Sequence, residues 1–117
     1  MSQPDCLFCK IIAGEIPSTE VLSTDTVYAF RDINPQASTH VLVVPKAHHE
    51  DARALAADAP ELLADVVRAG AEVAAAEGIA DSGYRLVFNT GDDAGRTVFH
   101  AHLHVVGGEP LGLFGKG

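Results

Sequence analysis

The sequence contains no tryptophan and few other rings, two Tyr and five Phe in 117 residues. An interior without large rings must be built from Val, Leu, Ile and Ala, and an apolar fraction of 47% is enough for one core. The length suits one domain, residues 1–117, and not two. Cations are also scarce: 8 Lys and Arg stand against 16 Asp and Glu, a formal net charge of −8. That balance argues against a nucleic acid held along a basic face. It leaves room for a mononucleotide, whose phosphate needs only backbone N–H groups and a few imidazoles. No apolar run approaches the ~20 residues of a membrane span. The start, Met1-Ser2-Gln3-Pro4-Asp5, has neither the basic nor the apolar part of a secretory leader. The expectation is a cytoplasmic protein with no membrane partner.

Cysteine is limited to Cys6 and Cys9, spaced C-x-x-C. A structural disulfide is not expected in a reducing compartment. A metal half-site, a redox pair and two small buried apolar groups remain open. No βαβ pattern follows to favour the redox reading.

Patterning predicts an α+β domain with a mostly antiparallel sheet of about five strands, one long helix and one short helix. Residues 7–13 read as the short helix, ended by Gly14. Val21-Leu22 and residues 27–30 read as a hairpin turning at 23–26. Val41-Leu42-Val43-Val44 is a continuous apolar run suited to a central strand. The long helix is expected to begin at Asp58-Ala59-Pro60-Glu61, with Asp58 as N-cap, and to end near Glu77-Gly78. Its apolar stripe would hold Leu63, Val66, Val67, Val73 and Ala74, opposite Glu61, Asp65, Arg68 and Glu72. Strands are expected at 84–88 and 98–106, with a polar glycine-containing loop at 89–97 between them.

The last strand carries His100-Ala101-His102-Leu103-His104. Period-two alternation puts the three histidines on one face and Phe99, Ala101, Leu103 and Val105 on the other, toward the core. Two chemistries fit three imidazoles in a row. Strand neighbours at i and i+2 can bind zinc with a third ligand. A neutral imidazole can also attack phosphorus while its neighbours hold the phosphate. The preceding loop contains Asn89, Gly91, Gly95, Arg96 and Thr97, groups able to approach and hold a phosphate. That context tilts the reading toward phosphate chemistry, with His100, His102 and His104 as candidate catalytic residues.

The run His100-Ala101-His102-Leu103-His104-Val105-Val106 resembles the His-φ-His-φ-His-φ-φ signature of the histidine triad (HIT) family. The likeness is strongest to its Hint-like nucleoside phosphoramidase branch. It continues through Phe8-Cys9-Lys10-Ile11-Ile12, Glu15-Ile16-Pro17, Ala29-Phe30-Arg31-Asp32-Ile33, Pro35-Gln36-Ala37, Thr39-His40, Val44-Pro45-Lys46 and Tyr84-Arg85, in order. The resemblance implies a homodimeric hydrolase of nucleoside-monophosphate–X compounds, purine phosphoramidates and acyl-adenylates foremost. His102 would be the nucleophile, forming a covalent nucleotidyl-histidine that water then hydrolyses. A backbone carbonyl would hold its other ring nitrogen. His104, Asn89, Gly95 and Thr97 would contact the phosphate, and Asp32 the ribose hydroxyls. Phe8, Ile11, Ile16, Phe30 and Ile33 would line the base slot.

By the same resemblance, Cys6, Cys9, His48 and His100 stand where part of the family holds a structural zinc; no organic cofactor is implied. With zinc bound, His48 and His100 could not shuttle protons. His40 is read as structural and His49 as a surface residue. Two departures bear on the leaving group: Arg96 stands where many members have Gln or Ser, and the tail at 107–117 lacks a Trp-Pro-Pro ending. Dinucleoside polyphosphate hydrolysis, a binding module with little turnover, and direct metal hydrolysis by the three histidines are the alternatives.

Overall fold

The computed structural model describes residues 5–112. The expected residues 1–4 of the start and 113–117 of the tail lie outside it. The chain forms five strands: β1 (Glu20–Ser23), β2 (Val27–Arg31), β3 (Thr39–Pro45), β4 (Tyr84–Phe88) and β5 (Leu103–Gly107). They make one antiparallel sheet in the order β1-β2-β3-β5-β4. The helices are α1 (Leu7–Ile12), α2 (Ala52–Asp58) and α3 (Pro60–Ala76). The α+β class and the five-stranded antiparallel sheet are as expected. No helix among the described residues is long and apolar enough to cross a membrane.

The apolar run at 41–44 is buried on both faces because β3 is the central strand, with helices on either side. On one face Val41, Val43, Leu103 and Val105 pack with Val66, Ala69, Val73 and Ala74 of α3. On the other face Phe30, Leu42 and Val44 pack with Phe8 of α1. Gly70 of α3 sits so close to β5 that an added Cβ would lie 2.8 Å from a Leu103 methyl. Gly78 closes α3 at φ +76, with the N–H of Ile79 on the Ala74 carbonyl at 3.0 Å.

Several expectations are corrected. Asp58 is not the N-cap of α3. It ends α2, a helix the sequence reading passed over, although Asp51 caps it (Oδ1 to the Ala54 N–H, 2.9 Å) and Ala-rich ARALAAD favours it. Ala59, restricted by the proline that follows, breaks the two helices apart. Val67 is 40% exposed, and Ala69 and Gly70 carry the buried stripe instead. β5 begins at Leu103, not at 98. The β3–β5 register would set Ala101 opposite Pro45, which has no N–H to donate, so the ladder stops at Val43↔Leu103. The alternation holds from 101 to 105, but His100 is fully buried off that face and Phe99 is 54% exposed rather than in the core.

Candidate active site

The sheet face carrying Phe30, Leu42 and His104 is roofed by α1. Between them lies a cavity of about 430 Å³. At one end are the apolar side chains of Ile11, Ile16, Phe30 and Ile33, and between the ends the Phe8 ring stands edge-on to His102, centroids 5.0 Å apart. At the other are His102, His104, Asn89, Gly95, Arg96 and Thr97, with Asp32 also on the wall. The tertiary fold thus gathers residues from α1, the β2–β3 loop, the 89–97 loop and the histidine segment. Ile33 is 93% exposed at this wall, an apolar side chain with nothing of its own chain to cover it.

The ring states follow from hydrogen bonding. His102 Nδ1 lies 2.7 Å from the carbonyl oxygen of His100. A carbonyl can only accept, so Nδ1 carries the proton and Nε2 keeps its lone pair. Burial lowers the His102 pKa below its ordinary 6.5, against a smaller upward pull from that bond. His40 Nδ1 accepts the backbone N–H of Gln36 at 3.0 Å. Its proton therefore sits on Nε2, which donates to His104 Nδ1 at 2.9 Å. His104 is left with an N–H on Nε2, beside Asn89 Nδ2 at 3.5 Å, so two donors stand next to each other there. Burial brings the His104 pKa down to about 4, so near neutrality the ring is uncharged. Asp32 Oδ1 takes the Asn34 N–H at 2.8 Å, and Oδ2 lies 3.5 Å from His40 Nε2. His40, read from sequence as structural, is thus the contact that sets the His104 tautomer. Its spacing gave no hint of this, since it lies 64 positions away.

Asp32, His40 and His104 are close enough together to suggest a cation site. The Gln36 N–H excludes one, because it occupies the Nδ1 lone pair of His40 and leaves Nε2 as a donor.

His100, grouped from sequence with the catalytic set, is fully buried and stands behind the cavity wall. Both its nitrogens are engaged. Nε2 donates to the Pro45 carbonyl at 2.8 Å, and Nδ1 faces Cys6 Sγ at 3.4 Å and Cys9 Sγ at 3.5 Å. Cys9 Sγ is 3.4 Å from His48 Nδ1. Two thiolates and two imidazoles about a tetrahedral zinc would put S···N near ~3.5 Å. The four ligand atoms here all fall within 4.8 Å of one another. The Pro45 bond also aims the His100 lone pair inward, as a ligand requires. The set fits a structural zinc. His49 is half-buried, and its carbonyl accepts the Ala101 N–H at 2.7 Å.

Arg96 reaches the wall but is held from behind. Nη1 lies 3.3 Å from both Glu50 and Asp51 carboxylates, and the guanidinium carbon is 4.2 Å over the Phe99 ring. Its Nε is buried without a hydrogen-bond partner.

The HIT domain profile matches residues 13–111 of the chain. The chain belongs to the HIT family. It is 44% identical over 108 residues to the purine nucleoside phosphoramidase of Escherichia coli K12, covering 92% of this chain and 91% of that one. A HIT family hydrolase from Clostridium thermocellum superposes with a TM-score of 0.92 at 43% identity, over 96% of this chain and 97% of that one. A histidine triad protein from Clostridium difficile gives 0.93 at 37% identity, over 98% and 100%. Membership and these relatives support hydrolase activity for this HIT protein.

Proposed function

We propose that the protein hydrolyses purine nucleoside monophosphates joined to a nitrogen or acyl group, through a nucleotidyl-histidine on His102. The carrying observation is the hydrogen bond from His102 Nδ1 to the His100 carbonyl, which leaves the Nε2 lone pair at the phosphate end of the cavity. The apolar part of the cavity, Ile11 and Ile33 with the Phe8 ring bordering His102, takes the base. Asp32, with lone pairs left after the Asn34 bond, takes the ribose hydroxyls. His104 donates its Nε2 proton to a phosphate oxygen, beside Asn89, Gly95 and Thr97; Arg96 flanks the same wall.

In the first half-reaction Nε2 attacks phosphorus and the P–N bond breaks. The amine departs with the electron pair and takes a proton from solvent, because neutral His104 needs its only proton for the phosphate. The His100 carbonyl stabilises the cationic ring that results. Water then attacks phosphorus and releases its proton to solvent, the P–Nε2 bond breaks with the lone pair returned to the ring, and the monophosphate is released. Attack by a neutral ring already in the correct tautomer needs no prior deprotonation of the nucleophile.

Zinc on Cys6, Cys9, His48 and His100 would tie α1 to the sheet and supply no chemistry to phosphorus. His100 then serves by positioning, through its carbonyl. Val67 on α3 and Leu86 on edge strand β4 are large exposed apolar side chains, and they support a homodimer formed across that helix and strand. A thiol pair facing two imidazoles supports a reducing, cytoplasmic setting. The domain is taken as residues 1–117. The formal net charge of −8 supports a mononucleotide partner and no nucleic acid or membrane.

The test is hydrolysis of an adenosine phosphoramidate by the wild type and by His102→Ala, each with and without chelator, with intact-mass analysis after a neutral quench. The expected result is a mass gain of one adenylate on the wild type, with loss of turnover only in the variant. Nucleotide binding with neither turnover nor adduct would leave a binding module and overturn the reading.

A further inference from the structure

A second cavity, about 470 Å³, adjoins the first and shares Leu7, Thr97 and Val98 with it. Its polar lining includes Asp5, Cys6 and His48, and the exposed Phe99 ring walls it. Cys6 is partly exposed at this opening, while Cys9 is buried. In a chain of formal charge −8, with Asp5 beside the sulfur, the solute best suited to reach Cys6 is small and uncharged.

The two sulfurs are arranged to meet. Cys6 caps α1, and its Sγ accepts the Cys9 N–H at 3.4 Å. Both sulfurs face one atom, His100 Nδ1, from 3.4 and 3.5 Å, and they lie within 4.8 Å of each other. Phe8 stands between them in the chain, with its ring 5.0 Å from His102 and 6.0 Å from His100. Phe8 and Cys9 are the buried residues of α1, so they seat the helix on the sheet. The C-x-x-C spacing lacks the βαβ frame of a dithiol that acts on other proteins. Here the pair faces its own active site.

We propose that Cys6 and Cys9 are a reversible oxidation site: hydrogen peroxide converts them to a disulfide, which unseats α1 and weakens nucleotide binding in the first cavity. That the cavity takes a nucleotide is the reading above, and the proposal adds its regulation. The Cys6 thiolate attacks the O–O bond, giving a sulfenic acid and hydroxide. The Cys9 thiolate then attacks that sulfur, the S–S bond forms, the S–O bond breaks and a second hydroxide leaves. Two protons from solvent make two waters, and the peroxide takes the two electrons that the sulfurs lose. Loss of a metal alone would leave both thiols within reach of His100. A disulfide would not, because S–S closes to about 2.05 Å and draws the sulfurs toward each other. The turn that carries Phe8 must follow. A shift at His100 also reaches His102, whose Nδ1 proton sits on the His100 carbonyl.

The experiment treats the wild type, as purified with its metal content measured, with hydrogen peroxide that is then removed. Intact mass should fall by two hydrogen atoms, with peptide mapping placing the bond at Cys6–Cys9, and any bound zinc should be released to a chromogenic chelator. Amide hydrogen exchange over residues 7–12 should quicken. Affinity for adenosine monophosphate by calorimetry should fall about 5- to 100-fold, the usual range of coupling between linked sites. Dithiothreitol with zinc should restore all of these. Reduced protein held in chelator should keep most of its affinity, which separates the disulfide from metal loss. Overoxidation or intermolecular dimers in place of the Cys6–Cys9 bond would overturn the proposal. So would a disulfide that leaves affinity and exchange as they are in the reduced, chelated protein. If the reduced protein binds no adenosine monophosphate, the nucleotide reading fails by itself. Exchange over residues 7–12 then decides alone: quickened exchange supports the oxidation site, and unchanged exchange overturns it.

Discussion

His102 and His104, two residues apart on one extended segment with ring centroids 5.0 Å apart, carry their protons on opposite nitrogens. The His100 carbonyl holds the His102 proton on Nδ1. The His40 N–H forces the His104 proton onto Nε2. At the phosphate end of the cavity a lone pair and an N–H therefore stand side by side, suited to attack on phosphorus and to binding its oxygen.

The lone pair is lost on protonation, and this sets a pH dependence. Burial holds the His102 pKa below 6.5, so the reactive neutral form predominates above that value and is lost as pH falls through the lowered pKa. The expected kcat/KM profile for an adenosine phosphoramidate has a plateau near and above neutrality and an acid limb whose midpoint lies below 6.5. The profile would be measured with buffer-catalysed hydrolysis subtracted. A midpoint at 6.5 or above would contradict the assignment.

Removing His40 should act through His104. His40→Ala takes away the donor that sets the tautomer and leaves the Gln36 N–H without its acceptor. The expected result is a fall in kcat of roughly 10- to 100-fold with a smaller change in KM, as for other residues that orient a reacting group's neighbour. Steady-state kinetics together with adenylate affinity by calorimetry separate this from general unfolding.

Gly70→Ala should destabilise, although alanine is the better helix former. The new Cβ would lie 2.8 Å from a methyl of Leu103, itself only 1% exposed with no room to retreat. The expected loss is about 1–3 kcal/mol in denaturant unfolding, the usual cost of overpacking. A gain in stability would mean that α3 can move away from β5.

Metal removal should separate stability from chemistry. With Cys6, Cys9, His48 and His100 as a structural zinc set, chelation is expected to lower Tm by several degrees and added zinc to restore it, through preferential binding to the folded state. Phosphoramidase turnover at 25 °C should persist in chelator. Cys9→Ser should lose both the metal, by elemental analysis, and the thermal shift. Immediate loss of turnover on chelation, with the fold intact by circular dichroism, would instead mark a metal-dependent reaction.

Much of this protein is local and therefore legible in its sequence. Period-two alternation put His102 and His104 on one face, while His100, expected beside them, lies behind it. The run at 41–44 marked the central strand, and the glycines at 14 and 78 marked helix ends. The residues expected around the nucleotide, from Phe8 and Asp32 to Asn89 and Thr97, do meet in one cavity. Such features depend on neighbours a few positions apart, where backbone period and turn chemistry dominate. What the tertiary structure alone decided involves partners far apart in the chain. The Pro45 position ended the β5 ladder at Leu103, and its carbonyl drew His100 out of the cavity and toward the thiols. Gln36 and His40 set the proton on His104. Composition and periodicity do not record which carbonyl a ring nitrogen meets, because only packing brings the two together.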